Sequence, residues 1–194
     1  MVGPDNPITR AETAEIIYRL LEAGMYARAL QSPFPDVGQD EWYTQSVSYL
    51  ANIGILKGYL DGTFRPGNTI TRAEFATIIS AINELPQTKR NAFPDVEGHW
   101  AVGYINSVAE KGWVSGYPGG AFMPENNLTR AEAVSVLNRM LNRRIETQDI
   151  PAWASGFDDL PADHWAYAAI IEASYGHEFE RKPNGFELWI KEQD

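Results

Sequence analysis

Three arginines in this chain occupy a position that does not favour a positive charge. Each lies in a Thr-Arg-Ala-Glu motif, in which threonine and glutamate three residues apart predict a capping box at a helix start. A helix start carries a partial positive charge. Either each arginine turns outward and pairs with a carboxylate of the protein, or it joins free helix-start amides to bind a ligand carboxylate. The three residues are Arg10, Arg72 and Arg130.

Tryptophans and two glycine-tyrosine loops recur in order around these motifs. Each tryptophan follows a Phe-x-Asp element and precedes a predicted helix, at Trp42, Trp100 and Trp165. An indole there either packs in the core or at its rim, or it offers a flat face to a sugar ring, and the residue types leave both open. Two matching loops, 58–66 and 116–124, add further candidate binding residues: Gly58, Tyr59, Asp61, Gly116 and Tyr117.

The loops suggest roles for some of these residues. Tyrosines in loops are expected at the surface, and the two leading glycines are expected to allow an unusual backbone angle or the close approach of a sugar. Asp61-Gly62 predicts a tight turn. Gly119 replaces Asp61 in the second loop, which removes one candidate side-chain contact. The aspartates of the Phe-x-Asp elements are expected to cap the turn that follows: Asp36, Asp95 and Asp158.

Together the motifs define a repeat that runs Phe-Pro-Asp-Val, tryptophan helix, Gly-Tyr loop and Thr-Arg-Ala-Glu helix. We divide one domain, 1–194, into successive pieces: a half repeat (4–30), two full repeats (34–86 and 93–144), a linker (145–156) and a diverged half repeat (157–194).

Apolar residues at helical spacing predict six amphipathic helices. The stripes after Thr-Arg-Ala-Glu are the longest, so we expect those three helices to form a central bundle with the tryptophan helices outside. Gly54 and Gly112 lie where a helix end favours a left-handed residue. The predicted fold is all-α and pseudo-threefold with little or no β-structure, and 4–30 supplies the inner helix that 157–194 lacks.

The motif order FPDV…HWA…GYPGGAF.P…LTRAE, with its sister FPDV…EWY…GYLDGTFRP…ITRAE, resembles the S-layer homology repeat over about 4–180. The resemblance implies a three-pronged spindle around a three-helix bundle. It also implies tethering of a surface-layer or extracellular protein to a secondary cell-wall polymer that typically bears a pyruvate ketal. The arginine of Thr-Arg-Ala-Glu is then a main contact. Because Gly-Tyr loops are complete only in the full repeats, we rank Arg72 and Arg130 ahead of Arg10.

Composition excludes several alternatives. A net charge of −10 disfavours nucleic acid as a partner, and no apolar run is long enough to span a membrane. The start shows no secretory signal, and we expect a processed or trimmed fragment of an extracellular cell-wall protein. Cysteine is absent. Three histidines, His99, His164 and His177, show no metal-ligand spacing, and the first two suit helix starts.

The acidic residues recur with the repeat and break no symmetry, so we predict no catalytic site, metal or cofactor. Two function classes remain. The first is an anchor that binds an anionic cell-wall glycan. The second is a protein–protein or self-assembly module whose tryptophan-rich grooves receive a peptide or an S-layer neighbour. Loss of glycan binding at high salt favours the first, because an arginine–carboxylate contact is screened.

Overall fold

The computed structural model describes residues 1–21, 31–88, 90–154 and 156–192. The prediction of a mostly helical chain is confirmed, and the end of the 4–30 half repeat, 22–30, lies outside the described residues. The helices found in the described part are α1 (Arg10–Leu20), α2 (Thr44–Asn52), α3 (Arg72–Ile82), α4 (Val102–Glu110), α5 (Arg130–Met140) and α6 (Tyr167–Ser174).

All three Thr-Arg-Ala-Glu motifs begin helices with the predicted capping box. Ahead of α1, for example, the Thr9 hydroxyl accepts from the Glu12 amide, and the Glu12 carboxylate accepts from the Thr9 amide. The same pair of bonds starts α3 and α5. The predicted left-handed helix ends are also present, because Gly54 and Gly112 have φ angles of 77° and 72°.

The chain divides into two compact units, and the larger comprises 7–110 and 116–128. Within it, α1 packs against α2 and α3 packs against α4. Three buried residues close a ring of backbone hydrogen bonds: the Ile8 amide donates to the Leu128 carbonyl, Leu128 to Ile70, and Ile70 back to Ile8. Residues that each precede a Thr-Arg-Ala-Glu motif therefore meet with pseudo-threefold pairing. The spindle and its central bundle stay predictions.

The smaller unit comprises 1–6, 111–115 and 129–194. Helices α5 and α6 pack together over a core that includes Ile145, Leu160 and Ile171. The segment 145–156, which we predicted to be a linker, contributes to this core through Ile145 and Ala154. It contains one 3₁₀ turn, Thr147–Asp149.

The smaller unit also contains the one sheet found among the described residues, an antiparallel hairpin of β1 (His177–Arg181) and β2 (Glu187–Glu192). We predicted a diverged half repeat in this stretch and little or no β-structure, so the hairpin corrects that prediction. Asn184-Gly185 was a usable signal, because this dipeptide favours tight hairpin turns and Gly185 has a φ of 84°. Burial alternates along β2, with Glu187 and Trp189 buried and Leu188 and Ile190 exposed.

Across the described part of the chain, every helix is too short or too polar to cross a lipid bilayer.

Candidate functional site

The aspartates of the Phe-Pro-Asp elements fix the Gly-Tyr loops from a distance. The Asp36 carboxylate accepts from the amides of Phe64 and Arg65 at 2.8 and 2.6 Å. Asp95 makes the same pair of contacts with Phe122 and Met123. The prediction that these aspartates cap the following turn is therefore wrong, since their partners lie 27 to 29 residues further along the chain.

A third copy of this clamp occurs in the smaller unit, but on a different residue from the one predicted. Asp159, not Asp158, accepts from the amides of Val2 and Gly3 at 2.8–2.9 Å. Asp159 is the residue that aligns with Asp36 when the two Phe-x-Asp elements are matched position by position. These amides lower the pKa of the Asp159 carboxyl, with Gly3 contributing most.

Arg10 lies inside the first Gly-Tyr loop rather than in solvent. Its Nε donates to the Phe64 carbonyl at 2.8 Å and its Nη2 donates to the Lys57 carbonyl at 2.9 Å. Its Nη1 pairs with the Glu74 carboxylate at 3.0 Å. The guanidinium lies 4.8 Å from the Tyr59 ring centroid and 4.6 Å from that of Phe64. The helix of one repeat thus holds the loop of the next.

Arg72 repeats this arrangement in the second loop. It is buried, its Nε donates to the Phe122 carbonyl at 2.8 Å, and its guanidinium lies 4.6 Å from the Tyr117 ring and 4.5 Å from the Phe122 ring. Arg130 is half-buried at the start of α5. Of the two explanations offered by the sequence, pairing with a protein carboxylate holds for Arg10, although the side chain turns inward and not outward.

The helix-start amides beside these arginines are already bonded, so the prediction of free amides is wrong. In α1 the Arg10 amide donates to the Asn68 carbonyl, the Ala11 amide to the Pro66 carbonyl and the Glu12 amide to the Thr9 hydroxyl. The same three bonds recur at the starts of α3 and α5. A ligand anion therefore finds no unused amide at these first-turn positions.

The two leading loop glycines are required by packing. A Cβ on Gly58 would lie 2.5 Å from Cε1 of Phe34 and 2.7 Å from the Thr63 carbonyl oxygen. On Gly116 it would lie 2.9 Å from the Ala121 carbonyl oxygen. Neither glycine has a positive φ, so the expectation of an unusual backbone angle is wrong, and close packing within the loop replaces it. The close approach of a sugar stays a prediction.

The three repeat tryptophans are exposed to the same degree: Trp42 by 60%, Trp100 by 60% and Trp165 by 61%. Packing in the core therefore does not hold, whereas packing at the rim and contact with a ligand both stay open. Three indoles left exposed at one repeat position offer flat, weakly polar faces of the kind on which a sugar could stack.

The first loop carries charges that the second lacks. Asp61 accepts from the Thr63 hydroxyl at 2.6 Å and pairs with Arg65 at 2.8 Å. The bond from Thr63 lowers the pKa of Asp61 most and that from Arg65 adds to it, so the pKa lies well below its usual range. Arg65 also lies 4.2 Å from the Tyr59 ring centroid. Tyr59 and Tyr117 are half-buried, because the buried arginines pack on them.

The fold gathers three residues of metal-ligand type that the sequence keeps apart: Glu172, His177 and Glu187 are fully buried side by side in the smaller unit. The carboxylate oxygens of the two glutamates already make hydrogen bonds and ion pairs within the protein. Glu172 accepts from Arg143 Nε at 2.9 Å and from the Trp189 indole at 3.0 Å. Glu187 pairs with Arg181 at 3.1 Å. We interpret the group as a buried ion-pair network; burial raises the pKa of Glu172, and the charge of Glu187 adds to the effect.

Comparison with known proteins decides the family. The S-layer homology domain model matches this chain at 33–76 and 92–134, which are the two stretches built around the Gly-Tyr loops. The chain belongs to the S-layer homology family. The resemblance predicted from the motifs is thereby confirmed.

Several relatives of this S-layer homology chain are named for anchoring, for the cell surface or for the S-layer. It is similar to a cellulosome-anchoring protein of Acetivibrio thermocellus, with 35% identity over 98% of this chain and 44% of that protein. It is also similar to cell surface glycoprotein 1 of the same organism, with 34% identity over 91% of this chain and 8% of that protein. The S-layer protein sap of Bacillus anthracis is 32% identical over 81% of this chain and 18% of that protein.

The chain thus spans less than half the length of these relatives. The S-layer homology repeats are shared with anchoring and surface-layer proteins, and the prediction that they form a non-enzymatic module is confirmed.

Proposed function

We propose that this chain is a non-covalent anchor that binds an anionic, pyruvate-bearing secondary cell-wall polymer and so tethers a larger extracellular protein to the cell wall. The observation that carries the proposal is the equal exposure of Trp42, Trp100 and Trp165, near 60% in each repeat. Indole faces stack on sugar rings, and a repeated platform suits a polymer with a repeated unit. The names of two relatives, a cellulosome-anchoring protein and a cell surface glycoprotein, support an anchoring role at the cell surface.

Arg10 and Arg72 contribute by holding the loops rather than by reaching freely into solvent. Both are buried between a tyrosine and a phenylalanine. A ligand carboxylate that contacts the Arg10 guanidinium therefore has to approach beside Glu74, which is bonded at 3.0 Å. We retain Arg10, Arg72 and Arg130 as candidate ligand contacts.

The exposed cations change the order in which we rank the candidate binding sites around the two Gly-Tyr loops. Lys57 and Arg65 lie at the surface of the first loop, whereas the matching positions of the second loop are Ser115 and Met123. Because Arg65 pairs with Asp61 at 2.8 Å, Lys57 is the cation in excess. On a chain of net charge −10, local cations decide where an acidic glycan settles. We therefore rank the loop held by Arg10 first as a candidate binding site. This reverses the order expected from the sequence, which placed Arg72 and Arg130 ahead of Arg10.

The experiment is a pull-down with purified cell walls from a bacterium that makes the pyruvylated polymer. The wild-type chain should sediment with the walls, and the Trp42→Ala, Trp100→Ala and Trp165→Ala triple variant should remain in solution. Because the indoles are exposed, the variant should keep its helical circular dichroism. Equal sedimentation of the two folded proteins would contradict the proposal.

The alternative, in which the grooves receive a peptide or an S-layer neighbour, uses the same exposed tryptophans. Walls stripped of their acidic substituents separate the two: an anionic-glycan anchor should lose binding to them, and a peptide-binding module should not change. Raising the ionic strength should weaken only the anionic-glycan contact appreciably.

A further inference from the structure

A histidine precedes the exposed tryptophan in two of the three repeats and makes the same contacts in both. The amide of Ala101 donates to Nδ1 of His99 at 3.1 Å, and the amide of Ala166 donates to Nδ1 of His164 at 3.1 Å. Each acceptor lies just ahead of a helix, α4 or α6. This agrees with the helix-start role predicted for both residues.

The other nitrogen of each ring reaches a carboxylate. Nε2 of His99 lies 2.7 Å from Glu125, and Nε2 of His164 lies 3.3 Å from Asp5. Because a backbone amide can only donate, Nδ1 must carry the lone pair. The ring proton is then on Nε2 and is donated to the carboxylate. Both nitrogens are used, so rotation of the imidazole would break two bonds.

The two carboxylates come from one repeat position. Glu125 follows Pro124 at the end of the second Gly-Tyr loop, and Asp5 follows Pro4, which aligns with Pro124. Both acids are exposed, whereas the two histidine side chains are largely buried. In both repeats the imidazole therefore bridges the start of a helix and the turn that leads into a Thr-Arg-Ala-Glu motif.

The same imidazole lies beside the exposed indole. The ring centroids of His99 and Trp100 are 5.4 Å apart with an interplanar angle of 37°, and those of His164 and Trp165 are 5.7 Å apart at 31°. Two independent copies thus place a doubly held imidazole against an exposed tryptophan. An indole that is pinned on one side loses less rotational freedom when a ligand stacks on it.

The first repeat provides an internal control, since neither partner is present there. Glu41 precedes Trp42, and Gly67 stands at the position of Glu125 and Asp5. Trp42 instead contacts the Tyr43 ring edge-on, at 5.2 Å between centroids.

We propose that His99 and His164 are positioning residues that hold Trp100 and Trp165 in the orientation that binds the glycan, through their bridges to Glu125 and Asp5. This inference rests on the proposed function.

Two kinds of substitution separate the two nitrogens. Asparagine places its amide oxygen near Nδ1 and keeps the helix-start bond but loses the bridge. Glutamine places its amide nitrogen near Nε2 and keeps the bridge. The experiment compares a His99→Asn/His164→Asn variant with a His99→Gln/His164→Gln variant, measuring melting temperature and affinity for purified cell walls. Glu41→Asn is the matched control in the first repeat.

The asparagine pair should melt near the wild-type temperature but bind walls about threefold to tenfold more weakly, which is the effect of losing an ordinary hydrogen bond. The glutamine pair should recover most of the affinity, and the control should bind like the wild type. Wild-type affinity in the asparagine pair would overturn the proposal and leave only a helix-start role. If the wild-type chain itself does not bind walls, the proposed function fails, which is a different result.

Discussion

The two Gly-Tyr loops, 58–66 and 116–124, share their backbone hydrogen bonds but differ at one turn position and in their surfaces. Gly119 has a φ of 102°, whereas Asp61, at the matching position, is not among the residues with a positive φ. In both, the tyrosine amide donates at 2.8 Å to the carbonyl four residues later, at Thr63 or Ala121. In both, an arginine from another Thr-Arg-Ala-Glu helix and an aspartate from a Phe-Pro-Asp element hold the far side of the loop. The first loop has Asp61, Thr63 and Arg65 where the second has Gly119, Ala121 and Met123. Thr63 and Ala121 are half-buried, and the other four are exposed.

This contrast separates framework from recognition. Both loops are held by an arginine and an aspartate from far away in sequence. In the first loop, Asp61 adds a bond that the second loop lacks, because its carboxylate accepts from the Thr63 amide at 3.0 Å. Arg65 and Met123 even share a left-handed backbone, with φ of 57° and 55°, although one is charged and the other is not. We infer that changes to the framework alter stability in both loops, whereas changes to the exposed side chains alter ligand preference in one.

The largest effect should come from adding a methyl group at the start of the loops. Gly58→Ala forces a Cβ to within 2.5 Å of the Phe34 ring, and we expect a loss of about 2–3 kcal/mol in the free energy of unfolding. Gly116→Ala has a more distant closest contact, 2.9 Å, and should lose about 1–2 kcal/mol. Urea denaturation measures both.

Gly67 is the matched control for this pair, because a Cβ there meets nothing within 4 Å and its φ is not positive. Gly67→Ala should change the free energy of unfolding by less than about 0.5 kcal/mol. If Gly58→Ala is as stable as Gly67→Ala, the packing account of the loop is wrong.

The next effect should come from the aspartate clamp. Asp95→Ala leaves the amides of Phe122 and Met123 without their acceptor, and Phe122 is buried, so we expect a loss of about 1–3 kcal/mol. Burial works to raise the pKa of Asp95, but the amide bonds outweigh it and the pKa is lowered from 3.8. The clamp's stabilisation is therefore complete above pH about 4 and falls as the pH drops below that value.

Denaturation of the wild type and of Asp95→Asn between pH 2 and 7 checks the sign, since the variant should lack this acid-dependent component. The smaller unit adds a control within one motif. Asp159→Ala should lower the melting temperature, whereas Asp158→Ala, one residue earlier and exposed, should leave it unchanged. The reverse order would restore Asp158 as the capping residue, as first predicted.

A smaller effect is expected from exchanging the exposed side chains. Arg65→Met should weaken binding of an acidic glycan about two- to fivefold, and Met123→Arg should strengthen it by a similar factor, because an exposed cation gives a modest, salt-screened contact. Both residues already share the left-handed conformation, so neither change should unfold the loop. Calorimetric titration at low and high salt measures the effect. Equal affinities for all three proteins would show that the loops do not discriminate by charge.

The smallest effect concerns Asp61. Arg65→Met removes one of the contacts that lower its pKa, so the pKa should rise, but it should stay below the ordinary value because the Thr63 hydroxyl is the larger cause. Carboxyl carbon shifts followed by NMR titration report this directly. A full return to the ordinary value would mean that Thr63 contributes nothing.

Local patterns in the sequence predicted local structure well. The capping boxes at Thr9, Thr71 and Thr129, and the left-handed glycines that end α2 and α4, follow from residues within a turn of each other. The family was also identifiable from motif order. These features depend on neighbours in the chain, which the sequence displays.

Contacts between residues far apart in the chain could not be predicted from the sequence. Nothing in the sequence places Asp36 against the Phe64 amide, or turns Arg10 inward to the Lys57 carbonyl. The same holds for the buried group of Glu172, His177 and Glu187, whose members come from α6 and two strands. In each case tertiary packing decides which local option is used, and it overrode the helix-start anion site that local electrostatics allowed.

The most direct test of the anchoring claim is calorimetric titration of the chain with a pyruvylated cell-wall glycan fragment, beside the same fragment without the ketal. We expect measurable binding of the pyruvylated fragment, weakened by salt and by replacement of the three exposed tryptophans, and much weaker binding of the ketal-free fragment. Equal binding of the two fragments, or binding of neither, would contradict it.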